Sequence, residues 1–380
     1  MKEQNEVDVE KVKESFLRNM RRAFRFYHRR ANILVCGYNG AGKSSLINAM
    51  LGDDVVPPDA IGHEGRSKTV GFDQYPKNPS SSEKIRVFDS RGMELGQTEE
   101  EFLARTRRFI RERQQNKDVN NHIHIVWYVI NGASVRVTPC DLNLIKKIFN
   151  PKDVIVVIMK SDAMRGTQKN GVKQAILDSG FPEDRIVFAC DQEAGAGGCR
   201  DLAIKTCEMI PEAFKNAFVD KQRIDKQLCI QNVSEKDPQA NEIIEKAKAR
   251  VNKFLLGVPA KKLLPAQMSM ISSLAGLYGS SVEQISPFVI EETRTFTDEA
   301  LSSMFCRKMQ LPFLEGRIKS KDAEMIMDAM GHYVQSRLRE FALVKIEAKY
   351  PNCQPPINIR REPLALSHRE FVEFLDNFKR

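Results

Sequence analysis

Hydrophobic residues recur along this chain with two different periods. Val9, Val12, Phe16, Met20, Phe24 and Tyr27 return every three or four positions and predict a first helix over residues 5–30. Short apolar runs follow: Ile33 to Cys36, Lys84 to Phe88, His122 to Ile130, Asp153 to Met159 and Ile186 to Ala189. They read as strands, and the most apolar of them as central strands buried on both faces. Charged segments with helical patterning separate them, starting near Lys43 and running over Glu99–Gln115, Leu142–Phe149 and Asp201–Met209. Alternating strand and helix predicts an α/β domain over residues 31–211, a mainly parallel sheet flanked by helices. Beyond Pro211 the sequence offers no convincing buried strand. Helices are expected over Pro211–Gln231, Ala240–Leu256, Pro259–Tyr278, Ser281–Glu292, Thr297–Met309 and Asp322–Ala348, with a break at Asp237-Pro238. Residues 212–380 therefore read as an all-helical domain completed by the helix of residues 1–30, with a proline-rich extended segment at 350–363 and a short helix after it. The stretch from Leu256 to Gly279 is the most apolar of this half. It suits either a membrane interface or a hairpin in a helical core, and Lys261, Lys262 and Pro265 favour the hairpin.

The first strand runs into GYNGAGKSS. Gly37, Gly42, Lys43 and Ser44 satisfy the phosphate-loop pattern G-x-x-x-x-G-K-[ST] between a strand and a helix. The backbone of Asn39, Gly40, Ala41, Gly42, Lys43, Ser44 and Ser45 would cradle phosphate oxygens at a helix N-terminus. The Lys43 ammonium would reach the β- and γ-phosphates, and the Ser44 hydroxyl would hold Mg2+.

Three further pieces fit this chemistry. Residues 53–69 have loop composition, and Thr69 is the only threonine after Lys43 in this stretch, so it is the candidate switch residue for γ-phosphate and Mg2+. Asp89-Ser90-Arg91-Gly92 forms a D-x-x-G at a strand end: Asp89 for the metal shell, the Gly92 amide for the γ-phosphate. Lys160-Ser161-Asp162 closes another strand. There the lysine stem would cover a guanine ring and the carboxylate would accept from its N1–H and 2-amino group, a donor pair that adenine lacks. Cys190 begins a loop that would close over the base. Position 93 is Met93, whose thioether cannot orient water, so hydrolysis should be slow without a partner. Arg136 reads as structural more readily than as a cis arginine. His122 and His124 share a face, but no third ligand for a metal stands out.

A net charge of +9 over 380 residues suggests an anionic partner, whether nucleotide, RNA or acidic lipid. None of the eight cysteines forms a CxxC pair, which favours reduced thiols over a zinc site or disulfide framework. The N-terminus is charged from Lys2 onward, unlike a signal peptide, and no apolar run is long enough to span a bilayer.

Together GYNGAGKSS, FDSRGME and MKSD resemble the GxxxxGKSS, DTPGxE and [NT]KxD motifs of the Era/TrmE-like branch of translation-factor-related GTPases, over about residues 31–210. Ser90-Arg91 stands where the family has Thr-Pro, and Met159 where it has an Asn or Thr that braces the phosphate loop. Pro265 to Gly279 is similar to a helical domain appended to some Era-like GTPases. The resemblance implies a slow GTPase that uses GTP/GDP and Mg2+, with Lys43, Thr69 and Gly92 as catalytic elements and with Ser44, Thr69 and Asp89 at the metal. It implies a switch that passes its nucleotide state to the helices, cytoplasmic or peripherally membrane-bound, with self-association through the G domain or an acidic membrane surface as partners. A ribosome or RNA-assembly factor is the first alternative, though no GXXG loop of KH type is present. A nucleotide-gated interaction module with negligible turnover is the second. Nothing points to DNA.

Overall fold

The computed structural model describes residues 2–52, 55–57, 71–77, 84–90, 92, 98–149, 151–190, 198–254, 257–353, 357 and 365–378. The chain divides into two compact units, Arg29–Cys229 and Met1–His28 with Ile230–Arg380. It opens with α1 (Lys2–Tyr27), which belongs to the second unit.

The first unit holds a six-stranded sheet: β1 (Ala31–Gly37), β2 (Phe72–Tyr75), β3 (Ile85–Ser90), β4 (Ile125–Asn131), β5 (Val154–Met159) and β6 (Ile186–Phe188), in spatial order β2-β3-β1-β4-β5-β6. Only the β2–β3 pair is antiparallel. Every residue of β1 and β5 is buried, as expected of parallel strands covered on both faces. The helices are α2 (Lys43–Leu51), α3 (Glu99–Gln114), α4 (Pro139–Asn143), α5 (Gly166–Leu177), α6 (Cys199–Met209) and α7 (Glu212–Lys221). Leu34, Tyr128 and Ile158 point into a core shared with Phe102, Leu144, Val172 and Ile176, from α3, the π-turn after α4, and α5. The opposite face carries Trp127, whose indole donates to Thr206 Oγ1 of α6 at 3.0 Å and meets the Phe218 ring of α7 edge-on.

That last contact moves a boundary. Composition placed the end of the α/β domain at 211, yet Phe214, Ala217, Phe218 and Val219 of α7 are buried, and Phe214 and Phe218 meet rings of the sheet unit. The Arg223 amide donates to Met50 O, and Arg200 pairs with Asp225. The division falls instead at Cys229/Ile230, inside α8 (Lys226–Ser234).

His124 proves to be an anchor at the amino-terminal ends of β1 and β4, in the middle of the sheet. Its Nδ1 accepts from the Asn32 amide at 2.9 Å, its Nε2 donates to Val119 O at 2.9 Å, and its ring stacks on Phe214 at 3.6 Å. His122 bonds Asn116 O through its Nε2. Both are committed to backbone partners, and no cluster of three metal-ligating side chains occurs among the described residues.

The second unit adds α9 (Asp237–Val251), α10 (Ala260–Tyr278), α11 (Val282–Thr297), α12 (Glu299–Lys308), α13 (Ser320–Lys349) and α14 (His368–Phe378). α10 lies at its centre, packed by α1, α9, α11 and α13. Leu263, Met270, Ile271, Leu274 and Leu277 are fully buried there. The expected hairpin is absent: α10 runs unbroken through Pro265. The proline removes one hydrogen bond, to the carbonyl of Lys261 in the exposed first turn, where water can replace it. The break expected at Asp237-Pro238 falls between α8 and α9, and the proline sits in the first turn of α9, where it is accommodated. The apolar stripe of α1 is covered within this unit: Phe16 and Met20 are buried, and His28 Nε2 bonds Gly276 O at 2.9 Å. Three two-residue strands, β7 (Val258–Pro259), β8 (Phe313–Leu314) and β9 (Arg317–Ile318), form a small sheet the sequence did not announce. No described helix is long and apolar enough to cross a membrane.

Burial pushes the His124 imidazolium down to about 4 from its ordinary 6.5. Between those values the unfolded chain binds the proton and the folded chain does not, so this share of stability is complete above pH 6.5 and is lost as pH falls towards 4. The shift corresponds to about 3 kcal/mol. Unfolding followed through Trp127, the single tryptophan, should show that loss between pH 6.5 and 4, and His124→Gln should flatten it.

Candidate functional site

The carboxyl ends of β1, β3, β4 and β5 converge on one edge of the sheet, where ligands sit in open α/β folds. β1 delivers the phosphate loop. A side chain at Gly37 would bring its Cβ within 2.1 Å of Val129 O, so only glycine lets β1 leave the sheet this close to β4. Gly42, at φ 94°, is the N-cap of α2. The open first turn of α2 thus presents its amides at the mouth of the loop.

Lys43 is buried, and its Nζ donates to Tyr38 O at 2.9 Å. Desolvation lowers its pKa, with Asp89 opposing. Ser44 Oγ donates to Asp89 Oδ2 at 3.1 Å. Asp89 lies within β3, in register with Val35, and is 3% exposed. Burial raises its pKa to about 6, against the pull of Lys43 and Ser44. Its Oδ1 is buried without a hydrogen-bond partner among the described residues. A desolvated carboxylate oxygen beside a serine hydroxyl, at the N-terminus of a phosphate-loop helix, is the donor set a hard divalent cation takes. Ser44 and Asp89 therefore fit Mg2+, which when bound would neutralise phosphate charge.

Gly92 is pressed onto the loop: a Cβ there would meet Asn39 N at 2.2 Å and Tyr38 C at 2.7 Å. The D-x-x-G segment and the phosphate loop are in backbone contact. Thr69, Arg91 and Met93 lie outside the described residues.

On the far side, Lys160 adopts a left-handed conformation, φ 58°, at the end of β5, and its Nζ reaches Gly40 O at 3.3 Å. A lysine in this region is strained by the order of 1 kcal/mol or more, as expected where a side chain must be aimed. Asp162 is exposed in the following turn. The Ser161 amide donates to Ala189 O, which joins that turn to Cys190, a half-buried residue whose carbonyl accepts from Cys199 Sγ. Ala41 is buried, Asn39 and Gly40 are exposed, and Ser45 lies half-buried in α2. Arg136 is exposed, beyond the turn that ends β4.

Two neighbours complete the loop's surroundings: Met159, met in the sequence only as a departure from the resembled family's loop-bracing residue, and Asn131, which sequence reading passed over. Met159 packs on Gly42: its Cβ, Cγ and Cε lie 3.5–3.7 Å from where a Cβ on that glycine would stand. Asn131, the last residue of β4, directs Nδ2 to Gly40 O at 3.5 Å. A polar residue ending a buried strand at the ligand edge was the available signal.

A septin family model matches residues 28–213, a span containing every motif above. Cell division control protein 11 of Encephalitozoon cuniculi is 26% identical over 40% of this chain and 59% of its own length. Neuronal-specific septin-3 of Rattus norvegicus is 28% identical over 38% of this chain and 45% of its own. The chain spans about half the length of the curated relatives it matches. Among solved structures, a probable GTP-binding protein engB is similar at 16% identity over 47% of this chain and 98% of that one, with a TM-score of 0.33. Toc33 from Arabidopsis thaliana in complex with Mg2+ and GMPPNP is similar at 15% identity over 56% and 93%, with a TM-score of 0.33. The Arg29–Cys229 unit has the P-loop GTPase fold. The relatives matched here are named as septins and as a cell division control protein, and they give the Era/TrmE-like branch no specific support.

Ionised Asp89 opposes folding, because its folded pKa lies above the ordinary 3.8; that cost is complete above about pH 6 and disappears as pH falls towards 4. Asp89→Asn should therefore raise stability in Mg2+-free buffer at pH 7.5 by about 1–3 kcal/mol and abolish any further stabilisation by Mg2+ with guanine nucleotide. Thermal unfolding with and without Mg2+ and GDP checks both halves. Gly92→Ala should lower the Tm and weaken nucleotide binding together.

Proposed function

We propose that the chain is a septin-type guanine-nucleotide switch that binds GTP and GDP with Mg2+, hydrolyses GTP slowly by in-line attack of water, and self-associates through its GTPase domain. The observation that carries the reading is the convergence of Lys43, Ser44 and the half-satisfied Asp89 with the Gly92 backbone at one sheet edge. Lys43 and the α2 amides bind the phosphates, Ser44 and Asp89 hold the metal, the Gly92 amide faces the γ-phosphate, and Lys160, Asp162 and Cys190 frame the base. Thr69 is proposed as the switch threonine from its sequence position. Met93, which cannot orient water, keeps turnover slow. Relatives named as septins and as a cell division control protein favour an assembling GTPase over a ribosome factor.

Unlabelled GTP and GDP should displace a fluorescent guanine nucleotide in the presence of Mg2+ while ATP does not, and Asp162→Ala should erase that preference. Equal competition by ATP refutes the guanine reading. Single-turnover hydrolysis should exceed a Lys43→Ala control. Sedimentation with GDP and with a non-hydrolysable GTP analogue should reveal nucleotide-dependent oligomers; a monomer in both states removes the self-association half.

A further inference from the structure

The phosphate loop is braced from an unexpected strand. At the end of β5 stands Met159, an apolar side chain that packs on Gly42 and has no donor to offer the loop. Its register partner across the sheet is Asn131, the last residue of β4. The Asn131 amide is oriented by its own local structure. Its Oδ1 accepts from the Ala133 amide at 3.1 Å, capping the 3₁₀ turn Gly132–Ser134, so Nδ2 is the end left to face Gly40 O at 3.5 Å. Lys160 Nζ approaches the same oxygen at 3.3 Å. A carbonyl has two lone pairs, and here each has a donor. The other edge of the same peptide plane is fixed as well, because the Ala41 amide donates to Tyr38 O at 3.3 Å. A planar peptide held at both its C=O and its N–H cannot swing, and the loop amides that follow keep their direction.

We infer that Asn131 is the positioning residue that holds the Gly40 carbonyl, and with it the phosphate loop, in its binding shape, supplying from β4 the amide donor that position 159 of β5 lacks. The inference rests on the guanine-nucleotide reading above. Asn131 touches the loop and not the base, so its contribution is to phosphate binding. Its loss should accelerate release of GDP and GTP alike and leave the discrimination against ATP intact, the reverse of what Asp162→Ala does.

The test is release of a fluorescent GDP and a fluorescent GTP analogue from the full chain in Mg2+. Asn131→Ser keeps a hydroxyl able to cap the 3₁₀ turn and adds no charge, but it is too short to reach Gly40. It should release both nucleotides about three- to tenfold faster, the range of one hydrogen bond. Adding Met159→Asn to Asn131→Ser places an amide on the register partner and should slow release again towards the wild-type rate. Trp127 fluorescence, which reports the buried core beneath the site, identifies variants that retain the fold. Wild-type release rates from Asn131→Ser overturn the inference, as does acceleration that Met159→Asn leaves untouched in a natively folded double variant. A wild-type chain that binds no guanine nucleotide overturns the functional reading itself, an outcome visible before any variant is made.

Discussion

Asp89 is a carboxylate held out of water next to a buried ammonium, with one oxygen bonded to Ser44 and the other without a hydrogen-bond partner among the described residues. Left to itself such a group would turn to solvent, because an ionised carboxylate in a poorly hydrated place is unfavourable. It stays because its backbone is part of β3, locked in register with β1. The same register puts Asp89 beside Ser44 and carries the chain on to Gly92, where the backbone meets Asn39 so closely that no side chain fits. A parallel pair of strands thus creates an electrostatically unfavourable site that a divalent cation would relieve.

Holding β3 against β1 is the work of the remainder of the α/β unit. Strands buried on both faces require helices on both, and the second face is closed by α6 and α7. Of the polar anchors, Trp127 to Thr206 ties the sheet to its covering helix α6, and His124 to Asn32 and Val119 ties the start of β4 to β1 and to the 3₁₀ turn Val119–Asn121. They require exact partners, so they fix the position of α6 and of the start of β1 where apolar packing alone would tolerate sliding. On this view α7 belongs to the GTPase domain even though its sequence reads like the helices that follow.

The helical unit shows the opposite economy. α10 is apolar nearly all round, and it is surrounded: α1, α9, α11 and α13 cover it. An apolar helix with basic residues at its start is also what an interfacial membrane segment looks like, and no local feature separates the two. Here the neighbours decide. Buried polar contacts then orient the last helix: His368 Nδ1 meets Glu292 Oε1 at 2.5 Å, and Tyr333 donates to Ser367 O, which holds α14 against α11 and α13.

The sequence by itself determined β1, β3, β4, β5 and β6, but not β2 or the small β7–β9 sheet, together with the phosphate loop, the D-x-x-G at β3 and the lysine–aspartate pair after β5. Their signals are local: continuous apolar runs mark strands buried on both faces, and the spacing of Gly37, Gly42, Lys43 and Ser44 is the geometry of a loop that wraps an anion. Tertiary structure alone decided the rest. The domain ends at Cys229 because Phe214 and Phe218 find the sheet, a contact between residues some ninety apart in the chain. His124 is an anchor because its two nitrogens meet Asn32 and Val119. Asn131 comes to Gly40 because β4 lies between β1 and β5. Each depends on which strand is whose neighbour, and strand order follows from the packing of the whole unit, which no window of sequence contains.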